Sequence, residues 1–167
     1  MLKDRLVEAG AIKFGDFVLT SGKKSNYYVD IKDAATDPAT LEEIASELAS
    51  KVSAQKIAGM ELGAVPITVA TAVMMKIPYL VLRKERSHGT KKLIIGHLRE
   101  GEEIELIEDV VTTGGSLLKA AQLIRDNGGV VKRAIVVVDR EEGGKEMLKE
   151  NGIELVSVVK ISDVKGK

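Results

Sequence analysis

Apolar residues change period along this chain, and the changes mark out its elements. Leu2, Leu6 and Val7 fall at helical spacing before Gly10, which predicts a short N-terminal helix. Residues 14–32 then alternate and turn, reading as a hairpin-like pair of short strands about Ser21-Gly22, with Tyr27, Val29 and Ile31 on one face. Asp37 followed by Pro38 is an N-cap with proline in the first helical turn, and Leu41, Ile44, Ala45, Leu48, Ala49 and Val52 repeat behind it as one stripe. A short strand, KIAGM, precedes a mostly apolar helix in the second half of ELGAVPITVATAVMMK, with Pro66 tolerable only in its first turn. A continuous apolar run at 77–82 and further apolar-rich runs at 103–107, 131–138 and 153–159 predict four more strands. Between the second and third of these lies the helix SLLKAAQLIRDNGG, packing through Leu117, Ala120, Ala121 and Ile124 and ending at Gly128-Gly129. Strands apolar on both faces and separated by helices predict an α/β fold, with a mostly parallel sheet flanked by helices.

At 167 residues the chain is the length of a single α/β domain, and its 44% hydrophobic and 30% charged residues argue for a folded globule. Lys+Arg and Asp+Glu are both 25, so nothing suggests a broad nucleic-acid or membrane-binding face, although a local basic cluster for a small polyanion stays open. Cysteine is absent, which removes disulfides, thiolate catalysis and thiolate-bound metals, and makes a reducing cytosol the simplest setting. The charged N-terminus does not read as a signal peptide, and no stretch approaches the length of a membrane span. His88 and His97 lack the spacing of a zinc site, so no metal bound directly by the protein is expected.

Candidate chemistry concentrates in IELIEDVVTTGGSLLKAAQLI. A strand ends in Glu108 and Asp109, a loop of hydroxyls and glycines follows, and a helix begins. Ligand crevices in parallel sheets lie at the carboxyl ends of strands. Thr112, Thr113, Gly114, Gly115 and Ser116 offer hydroxyls and approachable N–H groups at a helix N-terminus, suited to a phosphate monoester. The two carboxylates repel phosphate but accept from the hydroxyls of a ribose. Read by itself, the string is also compatible with an acidic turn and an ordinary helix start. It is neither a Walker A loop nor GxGxxG. Residues 83–98 form a long basic, glycine-bearing segment, either a flexible cationic lid over a polyanion or a plain solvated loop.

VVTTGGS preceded by Glu108-Asp109 resembles the phosphoribosyl pyrophosphate (PRPP) signature of the type I phosphoribosyltransferases. FVLTSGKKSNYYVD, RKE continuing to HG, and Asp139-Arg140 at the end of the next strand narrow the resemblance to the orotate type, over nearly the whole chain. It implies one phosphoribosyltransferase domain over 1–167, with a small hood formed largely by 1–35. The activity implied is magnesium-dependent transfer of phosphoribose from PRPP to orotate, giving orotidine 5-monophosphate and pyrophosphate in pyrimidine biosynthesis. Glu108 and Asp109 would hold the ribose hydroxyls, with Asp109 stabilising an oxocarbenium-like transition state, and Thr112 to Ser116 the 5-phosphate. Glu61, Gly63 and Ala64 would contact pyrophosphate through backbone. Arg140 would pair with the orotate carboxylate, a bidentate match that guanidinium chemistry favours; without the resemblance a solvated charge in a turn is the lesser reading. Tyr27 and Tyr28 would sit beside the base, and Lys23 and Arg83 would join in binding substrate. Lys84, Arg86 and His88 would supply the catalytic loop, closing over the site of a second subunit in a homodimer.

The chain departs from the familiar RKExKxHG by reading RKERSHG, one residue shorter, so Arg86 stands nearest to the second loop lysine; Thr20 stands where some relatives carry lysine before the SG turn. Within the same class the alternative is a phosphoribosyltransferase for another base, and outside it a PRPP-binding regulatory protein.

Overall fold

The computed structural model describes residues 1–85 and 92–164. The chain opens with α1 (Leu2–Glu8), then pairs β1 (Ile12–Val18) with β2 (Lys24–Val29) as an antiparallel ribbon. Two helices follow, α2 (Ile31–Ala34) and α3 (Pro38–Ala49). Next come β3 (Ile57–Met60), α4 (Ala64–Met75), β4 (Tyr79–Leu82), β5 (Ile94–Ile95) and β6 (Glu105–Val111). The chain ends in α5 (Gly115–Asp126), β7 (Arg133–Asp139), α6 (Gly144–Glu150), β8 (Glu154–Lys160) and a 3-10 turn at Ile161–Asp163.

Six strands form the main sheet in the order β5-β4-β3-β6-β7-β8, parallel except at the β5 edge. The central strands β3, β6 and β7 are buried over most of their length on both faces, as suits a parallel sheet covered by helices on either side. On one side α1, α3, α4, Tyr27 of the hairpin and Ile31 of α2 close over Ile57, Ile107 and Ile135. The N-terminal segment is thus part of the same core. On the other side α5 and α6 cover Leu80, Leu106 and Val136 through Leu117, Ala121, Ile124 and Leu148.

α3 begins as its sequence dictates: the Asp37 carboxylate accepts from the Thr40 N–H and hydroxyl at 2.9 and 2.8 Å, and Pro38 opens the helix. Ile44, Ala45 and Leu48 form its buried stripe. Glu105 is buried at the start of β6. Its carboxylate accepts from the Ser53 N–H (2.9 Å), the Ser53 hydroxyl (2.6 Å) and Arg133 (2.5 Å). Burial alone would raise this carboxyl, but Ser53 and Arg133 outweigh it and hold Glu105 below the usual glutamate range.

Four expectations need correction. Val7 is exposed, because α1 has a single turn-spaced pair, Leu2 and Leu6, to bury, and the next residue points about 100° away. Ile31 is not in the strand with Tyr27 and Val29: the Asp30 carboxylate accepts from the Lys32 N–H at 3.0 Å and starts α2, although Ile31 is buried there. The basic segment 83–98 is not wholly loop. Ile94 packs on the sheet and pairs with Leu82 in β5, and the Arg83 N–H donates to the Leu93 carbonyl at 2.8 Å. Finally, β6 does not end in its acids but runs on to Val111, as pairing with β7 continues to Val111↔Asp139.

Candidate active site

The crevice lies where β6 runs on past the end of its pairing with β3. On the β3 side, pairing ends at Gly59↔Ile107, one residue before Glu108. The chain leaves β3 toward β4 on one side and enters β6 on the other, so the sheet changes winding direction between β3 and β6. That is where doubly wound sheets open at their carboxyl ends. A cavity of about 290 Å³ occupies the opening, lined by Glu61, Gly63, Lys84, Glu108, Asp109 and Ser116 among others.

Two loops shape its floor. After β3, the chain passes through a cis peptide at Glu61-Leu62 to Gly63, the first residue before α4. A Cβ on Gly63 would lie 2.1 Å from Asp109 Oδ2, so the missing side chain is what lets the carboxylate rest against this loop. Ala64 is buried in the first turn of α4. Glu61 points its side chain across the opening, where Oε1 accepts from the Lys84 N–H at 2.6 Å.

After β6, residues Thr112 and Thr113 lead to Gly114, which adopts a left-handed conformation (φ 87°) and caps α5 without a side-chain hydrogen bond. The Gly144 N–H donates to the Thr112 carbonyl at 3.1 Å and pins this loop to α6. Gly115 and Ser116 are exposed at the helix start, their side of the loop turned toward the cavity through Ser116. An N-terminus whose N–H groups are not taken by a side chain is a ready anion site.

The acids between these loops are electrostatically unequal. Glu108 is buried, and burial followed by the hydrogen bond and charge of Asp109 pushes its carboxyl up to about 8, with Lys84 pulling weakly the other way. Glu108 Oε1 accepts from the Asp109 N–H at 3.1 Å, and Asp109 Oδ1 from the Val110 N–H at 2.9 Å. Near neutrality Glu108 is therefore mainly a carboxylic acid, able to donate to a sugar hydroxyl as well as accept from one.

Sequence reasoning missed Lys32, which lines the cavity from the first turn of α2. Its ammonium lies 3.0 Å from Asp30 Oδ1, and that hydrogen bond raises it above the ordinary lysine value, with a smaller contribution from Asp109. The local signal was the Asp-Ile-Lys string, an N-cap with a cation two residues on; its reach to Asp109 depends on the hairpin folding back over the sheet.

Other expected residues stand apart from this cavity. Tyr27 and Arg140 meet in a second cluster: the guanidinium stacks 4.8 Å from the ring centroid, and Arg140 Nε donates to the Tyr27 hydroxyl at 3.3 Å. The Arg140 N–H donates to the Val111 carbonyl at 3.0 Å, which ties the cluster to the end of β6. Tyr28 is exposed, donates weakly to Asp30 (3.5 Å) and contacts Phe17. Lys23 is exposed in the hairpin turn, where its carbonyl accepts from the Leu19 N–H. Arg83 is half-buried at the end of β4. Arg86 and His88 lie outside the described residues.

Comparison with known proteins agrees with this arrangement. Residues 34–163 match the phosphoribosyl transferase domain model. An orotate phosphoribosyltransferase of Thermoplasma acidophilum is 64% identical over 165 residues, spanning 99% of this chain and 96% of the relative. The Thermoplasma volcanium protein of the same name is also 64% identical, spanning 99% of both. The crystal structure of orotate phosphoribosyltransferase from Aeropyrum pernix superposes with a TM-score of 0.83 at 32% identity, covering 98% of this chain and 96% of that one. A crevice at the β3/β6 switch, an acid pair, a glycine-hydroxyl helix start and these relatives converge: the chain belongs to the orotate phosphoribosyltransferases of the type I phosphoribosyltransferase family.

Proposed function

We propose that this protein transfers the 5-phosphoribosyl group of PRPP to orotate, releasing pyrophosphate and forming the orotidine 5-monophosphate of UMP synthesis. The observation that carries the reading is the placement of Glu108 and Asp109 between the Gly63 loop and the uncapped start of α5. Thr112 to Ser116 would hold the 5-phosphate by hydroxyls and helix N–H groups. Glu108 and Asp109 would bind the two ribose hydroxyls, leaving the Asp109 charge near the anomeric carbon as positive charge develops there. Backbone at Glu61, Gly63 and Ala64 would meet pyrophosphate, with Lys84 and Lys32 offsetting its charge across the cavity. Arg83 and Lys23 would add positive charge at the margins. Orotate would enter from the Tyr27, Tyr28 and Arg140 side, its carboxylate on the guanidinium. No side-chain nucleophile is needed, since positioning and charge stabilisation suffice.

Magnesium fits these residues as an ion carried by substrate. Among the described residues no three His, Cys, Asp or Glu side chains cluster to hold a metal, whereas a single acid pair beside a diphosphate suits an ion that keeps most of its ligands from water and phosphate. When bound, Mg²⁺ neutralises the departing diphosphate and lowers the cost of its release.

The reading includes a homodimer and a cytoplasmic setting. α4 presents Val73, 69% exposed, and Met74 beside a groove of about 700 Å³ floored by Leu41, Val65 and Val69. This face continues directly from the Gly63 loop, so a second copy seated there would border the active site. No helix among the described residues is long and apolar enough to cross a membrane.

The test is loss of orotate absorbance with PRPP, with and without Mg²⁺, and with uracil, xanthine and adenine offered separately. Magnesium-dependent loss of orotate that Asp109→Ala and Arg140→Ala abolish is expected. Tight PRPP binding without turnover of any base would overturn the enzyme reading in favour of a PRPP-binding regulatory protein.

A further inference from the structure

Arg140 is not loose in its pocket. Its guanidinium carries five N–H donors in a rigid plane, and two of them are engaged along one edge. Nε donates to the Tyr27 hydroxyl at 3.3 Å, and Nη2 lies 2.9 Å from Glu142 Oε1. The Tyr27 hydroxyl in turn donates to the same Glu142 oxygen at 3.2 Å. One carboxylate oxygen thus receives both the arginine and the tyrosine that holds it, closing a three-membered ring of contacts. The Arg140 side chain is only 10% exposed, whereas Glu142 is 39% exposed.

The geometry points to Glu142 as a positioning residue for the proposed base site. By holding the Nε/Nη2 edge of Arg140 together with Tyr27, it leaves the Nη1/Nη2 edge, without a protein partner among the described residues, for the planar carboxylate of the incoming base. This inference rests on the assignment of Arg140 to orotate. Glu142 acts from outside: it fixes the plane of the fork and touches no reacting atom. Its placement follows from the turn after β7. The buried Asp139 accepts from the Glu141 N–H at 2.8 Å, Glu141 takes a left-handed conformation (φ 58°), and the Ser162 N–H donates to Glu141 at 2.8 Å. The turn sends Arg140 and Glu142 toward Tyr27 and Glu141 away from it.

An alternative consequence of the same contact is that Glu142 imitates the substrate carboxylate and competes with it. The two differ in sign. A clamp makes removal of Glu142 weaken orotate binding, whereas a competitor makes removal strengthen it. The clamp is favoured because Glu142 takes the edge shared with Nε, and a bidentate substrate can use the other.

Steady-state kinetics of the full chain with Mg²⁺ and PRPP, comparing Arg140→Ala, Glu142→Ala and Glu142→Gln, tests this. Glu142→Ala should raise the orotate KM about tenfold, the scale of a lost charge-assisted hydrogen bond, while kcat, the PRPP KM and the melting temperature hold. Glu142→Gln keeps an acceptor oxygen in place and should restore most of that loss. A raised KM in Arg140→Ala with an unchanged or lowered KM in Glu142→Ala would overturn the positioning role alone. An unchanged orotate KM in Arg140→Ala would overturn the assignment of Arg140, and the inference with it. Equal losses toward PRPP and orotate, or no rescue by glutamine, would also overturn the clamp.

Discussion

Replacing Gly63 by alanine should separate folding from catalysis. The backbone at Gly63 is helical (φ −63°, ψ −29°), so alanine meets no conformational penalty there. The new methyl would stand 2.1 Å from Asp109 Oδ2 and 2.8 Å from its Cγ, with Lys32 Cγ at 3.2 Å. To reach an ordinary contact of 3.4 Å the carboxylate oxygen has to retreat by about 1.3 Å. Asp109 can do so by rotating a partly exposed side chain, at little expense to stability. Its charge then no longer faces the same point. A displacement of about 1 Å in a positioned catalytic group lowers rate by roughly a hundredfold. The expected result is a kcat for orotate consumption reduced about a hundredfold, with a melting temperature within about 2 °C of the parent. A variant that melts normally and turns over at the parental rate would refute the view that Asp109 acts from its rest against Gly63. A variant that unfolds would refute the view that the clash is relieved by side-chain rotation.

Three further outcomes follow from the electrostatics and the surface. Glu108 keeps its proton in the folded state up to about 8, whereas unfolded glutamate releases it near 4.5, so this residue lowers stability progressively as pH rises between those values. Glu108→Gln should therefore match the parent near pH 4 and exceed it above pH 8 by a few kcal/mol, at about 1.4 kcal/mol per pH unit; equal urea midpoints at pH 8.5 would contradict this. Arg133→Ala leaves the Glu105 carboxylate, 1% exposed, without its charged partner, and should cost about 3 kcal/mol in urea unfolding at pH 7 without changing kcat. Because Glu105 is held below its ordinary value, the parent's advantage should be present above about 4.5 and fade as the solution is acidified past it, and an advantage that persists in acid would exclude this origin. If a second copy seats on α4 as proposed, the parent should scatter light as a dimer and Val73→Glu, which places a charge on that exposed face, as a monomer; a monomeric parent would overturn the dimer, and a variant that stays dimeric would move the interface elsewhere.

What could be read from the sequence was whatever a single segment encodes. The Asp37-Pro38 start and its stripe gave α3, and the β6-to-α5 string gave the acids and the phosphate loop, because strand, turn and helix start are contiguous there. β5 escaped because two residues on a sheet edge leave no period to detect. α6 escaped because Gly143, at φ 93°, starts it without a side-chain cap, so DREEGG looks like a turn and nothing more. Lys32 and Glu142 escaped for a different reason. Their roles depend on the N-terminal hairpin meeting turns far along the chain; 115 positions separate Tyr27 from Glu142.

The bond from the Arg83 N–H to the Leu93 carbonyl bears on how the basic segment tolerates its shortened RKERSHG string. It brings the two ends of that segment together at the edge of the sheet, so the entropic cost of closing the loop is met once, by strand pairing. For a loop of about ten residues, closure entropy changes by only about 0.1 kcal/mol per residue added or removed. Span is another matter, since each residue extends the chain by up to about 3.5 Å. Evolution can therefore trim or lengthen this segment almost without thermodynamic consequence while altering the reach available to it, which makes the number of residues between Arg83 and Leu93 a nearly free variable.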